Sequence, residues 1–162
     1  MPSARALEED VNAGHRHELT VLVEAAGEVP PRSNLMLAVI TGVDLVAFSG
    51  GKAIRGPQST GILCGSRDLI GSAALQMLDM DDHFELWNPP SALFDASQLD
   101  CAPRHGIGRA MKVSKEEIVA LMTALALFAS GGYDDEIPSQ HERLQSIADK
   151  LAERSEEHTS EL

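Results

Sequence analysis

Asp44 to Gly61 reads DLVAFSGGKAIRGPQSTG. An apolar run, Leu45-Val46-Ala47-Phe48, stops at Ser49-Gly50-Gly51; Lys52 follows, and a second turn signal stands at Gly56-Pro57. The pattern predicts a buried strand that delivers one amine onto a glycine-rich turn. Two readings fit it. A lysine held against apolar walls loses solvation, which favours the free amine for Schiff-base chemistry, and adjacent glycines let backbone amides approach a phosphate. The plainer alternative is a strand end carrying a solvated lysine. A phosphate-binding Walker A loop is excluded, because Ala53 rather than Ser or Thr follows Lys52 and the upstream glycine is missing.

Working outward, Ala4 to His17 predicts a helix with Leu7, Val11 and His15 on one face. Leu19 to Val23 predicts a buried strand, and Ser33 or Asn34 can cap a short helix through Ile40. Asp44 to Phe48 and Thr60 to Cys64 are two further strands, followed by a helix from Arg67 to Met80. Helix, strand, helix, strand points to an α/β fold with a parallel sheet. Asp81 to Arg109 contains Pro89, Pro90 and Pro103 and is long for an irregular connection, a kind of segment that often carries function. Ser114-Lys115-Glu116-Glu117 is a capping box that opens a helix through Phe128, with Ile118, Leu121, Met122 and Leu125 on one face and Gly131-Gly132 at its end. A last helix is expected from Ser139 to Glu153.

Two blocks carry a resemblance. Ser49-Gly50-Gly51-Lys52, Gly56-Pro57-Gln58 and Thr60-Gly61-Ile62-Leu63 form the first; His105-Gly-Ile-Gly-Arg109-Ala-Met-Lys-Val113 followed by Ser-Lys-Glu-Glu-Ile118 forms the second. Together they resemble the selenocysteine synthase-like family of pyridoxal-phosphate enzymes (L-seryl-tRNA(Sec) selenium transferase and ammonia-lyase-like relatives), over roughly Leu7 to Phe128. The resemblance implies a partial fold-type-I large domain, an incomplete and mainly parallel sheet with flanking helices, over residues 1–113. Residues 114–153 would then be helices leading into a C-terminal domain. It implies pyridoxal 5'-phosphate as cofactor, Lys52 as its Schiff-base and proton-moving residue, and Ser49 near its phosphate. Glu24 would pair with the pyridine nitrogen where the family has Asp, and Glu28 would stand near the ring hydroxyl where Gln is usual. Arg55, His105 and Arg109 are the substrate-binding candidates. Elimination or β-replacement on an amino-acid-like small molecule is the implied reaction, in a homo-oligomer, with this piece inactive alone. The residues by themselves leave ordinary alternatives open: a turn serine, a solvated strand-end acid, an exposed arginine, a loop histidine. A non-catalytic α/β module with an oligomerisation role is the competing functional reading.

Composition bounds the rest. The chain has 162 residues, 43% of them apolar, enough for one ordinary domain with a core. The formal charge is -12, from 13 basic and 25 acidic residues, which disfavours tRNA or any generic nucleic-acid partner. Neither a secretory signal nor a membrane span is visible. The two cysteines, Cys64 and Cys101, fit neither a disulfide framework nor a zinc site, so a reducing cytoplasmic setting is expected. Asp79, Asp81, Asp82, His83 and Glu85 have no metal-ligand spacing and read as a solvated acidic loop. Arg154 to Leu162, RSEEHTSEL, is what one reading frame of a widely used short-read sequencing adapter encodes, and it is expected to be foreign to the natural protein.

Overall fold

The Leu45–Ser49 strand is the centre of the sheet, because its apolar residues are the ones the rest of the chain covers. In the computed structural model, which describes residues 4–159, the first elements are α1 (Ala4–Arg16), β1 (Leu22–Glu24), α2 (Asn34–Ile40), β2 (Leu45–Ser49) and β3 (Gly61–Gly65). They are followed by α3 (Arg67–Leu75), α4 (Lys115–Ala129) and α5 (Glu136–Thr159). Short 3-10 turns at Phe84–Leu86, Ala96–Gln98 and Arg109–Met111 punctuate the long connection before α4. The chain divides after Leu125 into two compact units.

The architecture is α/β, with a three-stranded sheet in the order β1-β2-β3. β1 and β2 run parallel, pairing Leu22 with Leu45 and Glu24 with Ala47. β2 and β3 run antiparallel, pairing Leu45 with Gly65 and Ser49 with Gly61. The expected parallel sheet is therefore corrected to a mixed one. The cause is local: the connection from Ser49 to Gly61 is a tight loop that returns beside β2, and a parallel neighbour needs a crossover of a dozen or more residues.

β2 alternates half-buried and fully buried positions, with Val46 at 1% and Phe48 at 5% exposure. Leu7 and Val11 of α1 are buried, as their spacing requires. β1 differs from expectation. It begins at Leu22 rather than Leu19, and both leucines are exposed, at 56% and 61%. The backbone explains the late start: Glu18 turns through a φ of 56°, and Leu19 is tied back to Gly14. The Val21 amide then donates to the Asp44 carboxylate at 2.7 Å, where His15 Nε2 also bonds at 2.9 Å.

α3 stops at Leu75, short of Met80, because the following carbonyls are used by the His105 segment. Gly108 donates to the Gln76 carbonyl and Gly106 to that of Leu78, while Met80 donates to Pro103. The capping box is present as read: Glu117 N donates to Ser114 Oγ at 3.1 Å, and Ser114 N to Glu117 Oε2 at 2.9 Å. α4 ends where Gly131 takes a φ of 84° and Gly132 donates back to Leu127, a left-handed close that suits glycine. Beyond Leu125, Phe128 is buried and meets the Tyr133 ring at 6.5 Å. α5 starts earlier than expected, at Glu136. Among the described residues no helix is long and apolar enough to cross a membrane.

Two outcomes follow from this packing. Phe48→Ala should destabilise the chain by about 3 kcal/mol through lost burial and a residual cavity, read by urea unfolding. Asp44 should give stability an acid limb. Its carboxyl lies below the usual aspartate range because the Val21 amide, and then His15, bond the charged form. A lowered folded pKa contributes stability above the unfolded aspartate range and loses it as pH falls through the folded value. Asp44→Asn should flatten that limb in unfolding curves taken across the acid range.

Candidate functional site

The loop after β2 is built by backbone closure. Gly50 N donates to the Thr60 carbonyl at 2.9 Å and Gly56 N to the Gly50 carbonyl at 2.8 Å, so both ends of the loop meet at Gly50. Arg55 N donates to the Lys52 carbonyl at 2.9 Å. Two side chains brace it: Gln58 Nε2 donates to the Gly51 carbonyl at 2.9 Å, and Thr60 Oγ1 to the Pro57 carbonyl at 2.6 Å. Ile54, at 1% exposure, anchors the loop in the core. The glycines are there for space. A Cβ on Gly50 would meet the Thr60 hydroxyl, and one on Gly51 would stand 2.6 Å from Gln58 Cα.

Lys52 is exposed on this loop. The apolar walls expected around it are not supplied within the described residues; burial goes to Ile54 instead. Its position is nevertheless distinctive. β1 and β2 are parallel neighbours, so Glu24, Ser49 and the Lys52 loop all stand at the carboxyl edge of this strand pair, the edge at which α/β sheets bind ligands. Ser49 is half-buried. Glu24 is exposed, and its carboxylate accepts from Ala26 N at 2.8 Å, closing the turn that follows β1. Glu28 lies at the end of that turn, half-buried, and its carbonyl accepts from Asn34 Nδ2 at 2.7 Å. Arg55 sits in the left-handed region at a φ of 64°, directly before Gly56.

The His105 end of the second block is tied to the segment that follows α3. His105 N donates to Asp79 Oδ1 at 3.0 Å, its backbone takes a φ of 53°, and its ring is 91% exposed with Nδ1 3.8 Å from the same carboxylate. Arg109 is exposed in its 3-10 turn. The intervening glycines are packing residues: a Cβ on Gly106 would stand 2.6 Å from the Leu78 carbonyl oxygen, and one on Gly108 2.8 Å from Met77 Sδ. The structure thus gathers Glu24, Ser49 and Lys52 at one edge and ties His105 to Arg109 to the end of α3.

Two features had no assigned role in the sequence. Ser59 donates to the Glu117 carboxylate, so the capping box of α4 also reaches the lysine loop. Glu117 titrates below the usual glutamate range, chiefly because of that Ser59 bond and then the Ser114 amide. The second is a cavity of about 680 Å³ lined in part by Arg67, Trp87, Phe94 and Asp95. Arg67 donates to the Ser91 and Ala92 carbonyls, Trp87 and Phe94 lie 5.9 Å apart, and Asp95 accepts from Ser97. Arg67 follows Gly65, the partner of Leu45, so this hollow opens from the end of β2 opposite Lys52. Among the described residues no group of three His, Cys, Asp or Glu side chains is placed to hold a metal ion. Cys64 and Cys101 are free thiols, and burial pushes the Cys64 thiol up.

No family profile matches the chain. The chain is similar to the 5'-C-glycyluridine monooxygenase-decarboxylase of a Streptomyces species, with 30% identity over 145 residues that make up 90% of this chain and 28% of that protein. It therefore spans less than a third of the relative's length. This finding overturns the expected selenocysteine synthase-like membership and the selenium-transferase or ammonia-lyase chemistry that went with it. The relative is named for oxygenation and for loss of a carboxyl group, whereas elimination and β-replacement break a bond at the β-carbon. The two blocks that carried the resemblance are accounted for by loop closure and close backbone packing, and neither dictates which bond of a substrate breaks.

Proposed function

We propose that this chain is the lysine-bearing part of an enzyme that decarboxylates an α-amino acid carried on a larger polar group, in an oxygen-dependent reaction. The similarity over 90% of the chain to a protein named as a glycyluridine monooxygenase-decarboxylase carries the reading. A glycyl unit presents an amine, a Cα and a carboxylate. Release of that carboxylate as CO2 leaves an electron pair at Cα, which needs an acceptor.

The donor set at the carboxyl edge of β1 and β2 fits pyridoxal 5'-phosphate. Lys52 offers an exposed primary amine and Glu24 a carboxylate at the same edge. When bound, the cofactor supplies an electron sink for charge developing at Cα. Lys52 would hold it through its amine and carry protons at Cα. Glu24 would pair with the ring nitrogen, Ser49 would bond the phosphate, and Glu28 would border the ring. Arg55, His105 and Arg109 would serve the substrate, an arginine suiting its carboxylate by bidentate hydrogen bonding. On this reading the sheet is part of a fold-type-I large domain. The protein works on a small molecule in the cytoplasm as a homo-oligomer; its charge of -12 disfavours tRNA.

The test has two parts. The 162-residue chain incubated with pyridoxal 5'-phosphate and reduced with borohydride should carry the added mass on Lys52, and Lys52→Ala should not. The full-length parent given 5'-C-glycyluridine should release CO2 in air and not under argon, with Lys52→Ala slower by roughly a thousandfold. Absence of label on Lys52 would sink the cofactor assignment, and absence of CO2 release would sink the substrate class.

A further inference from the structure

The lysine loop has a second anchor outside the strands. Glu117, in the first turn of α4, receives the Ser59 hydroxyl on the carboxylate that also closes the capping box at Ser114 N. One turn on and on the same face, Leu121 packs against the loop base. A Cβ on Gly50 would come within 2.8 Å of Leu121 Cδ1, and one on Gly56 within 2.9 Å of the same atom. Gly50 and Gly56 are themselves joined by the 2.8 Å bond that closes the loop around Lys52. The first two turns of α4 therefore grip the loop twice, by a charge-assisted hydrogen bond at Ser59 and by a methyl group over the two glycines.

We infer that Glu117 is a positioning residue for Lys52, acting through Ser59 to fix the loop that presents the amine. The inference rests on the reading of Lys52 as the reactive amine. Ser59 directly follows the Gly56-Pro57-Gln58 turn, and Gln58 holds the Gly51 carbonyl, so a displacement at Ser59 is passed to the residue before the lysine. A carboxylate is suited to the task because one group serves the helix amide and the loop hydroxyl together, and hydrogen bonds to a charged acceptor are the stronger kind.

Ser59→Ala removes the loop end of this bond and leaves the capping box intact. Ser59 is exposed, so folding is not at stake. In the 162-residue chain, acetylation of Lys52 by an N-hydroxysuccinimide ester, read by peptide mass spectrometry, should change by about fivefold, with amide exchange over residues 50–56 faster by a similar factor. Ser59→Thr, which keeps a hydroxyl, should restore both, and the urea midpoint should stay at the wild-type value. An unchanged Lys52 labelling rate in Ser59→Ala would overturn the inference, as would failure of Ser59→Thr to restore it. Equal acceleration of exchange across α3 would also overturn it, since that marks general loosening. The acetylation readout needs no cofactor. A wild-type Lys52 that takes no pyridoxal label therefore refutes the cofactor assignment while the Ser59 comparison still decides the role of Glu117.

Discussion

The bond from the Gly50 amide to the Thr60 carbonyl fixes where β2 ends and β3 begins, and with it the register of the middle of the sheet. It forces the chain to return beside β2, so β3 must run antiparallel. It sets the floor on which Ile54 is buried and Leu121 rests. It also leaves Lys52 at the top of a short, cross-braced loop instead of in the core. A methyl group at Gly50 has no room at this junction, so the sheet, the loop and the start of α4 all depend on that position.

The order and type of the elements were legible in the sequence. Leu7 and Val11 at helical spacing, the apolar run Leu45 to Phe48, the Ser114/Glu117 box and the Gly131-Gly132 stop each encode a local rule, and each is found where the rule puts it. What failed was set by longer-range contacts. LTVLV has the composition of a buried strand, yet Asp44 draws in the Val21 amide and leaves Leu19 and Leu22 exposed. The pattern after Arg67 allows a helix through Met80, but the carbonyls of Gln76 and Leu78 accept from Gly108 and Gly106, far along the chain. Strand direction was lost for a similar reason, since apolar alternation is the same in both directions and only the tight Ser49 to Gly61 return decides it.

The candidate site was legible as a lysine on a glycine-rich turn at a strand end, and no further. Ser49-Gly50-Gly51-Lys52 and Gly56-Pro57-Gln58 specify how a chain folds back and displays an amine. Nothing in that folding rule selects which bond of a substrate breaks. A loop of this build can therefore be shared by proteins that break different bonds, which is why the resemblance misassigned the family. The Ser59 to Glu117 contact escaped notice because it joins a residue with no motif to one whose capping role already accounted for it.

Gly106 and Gly108 show how such a run can mislead in the laboratory as well. Their place between an exposed histidine and an exposed arginine gives the block the look of an active-site signature, yet each is fixed by carbonyls and a sulfur atom that a methyl group would strike. A deep mutational scan scored only by growth or turnover would rank both positions beside a reacting group. Scored also by the amount of folded protein in the cell, the same scan would separate them, because loss at the glycines would track abundance while loss at a chemical residue would not.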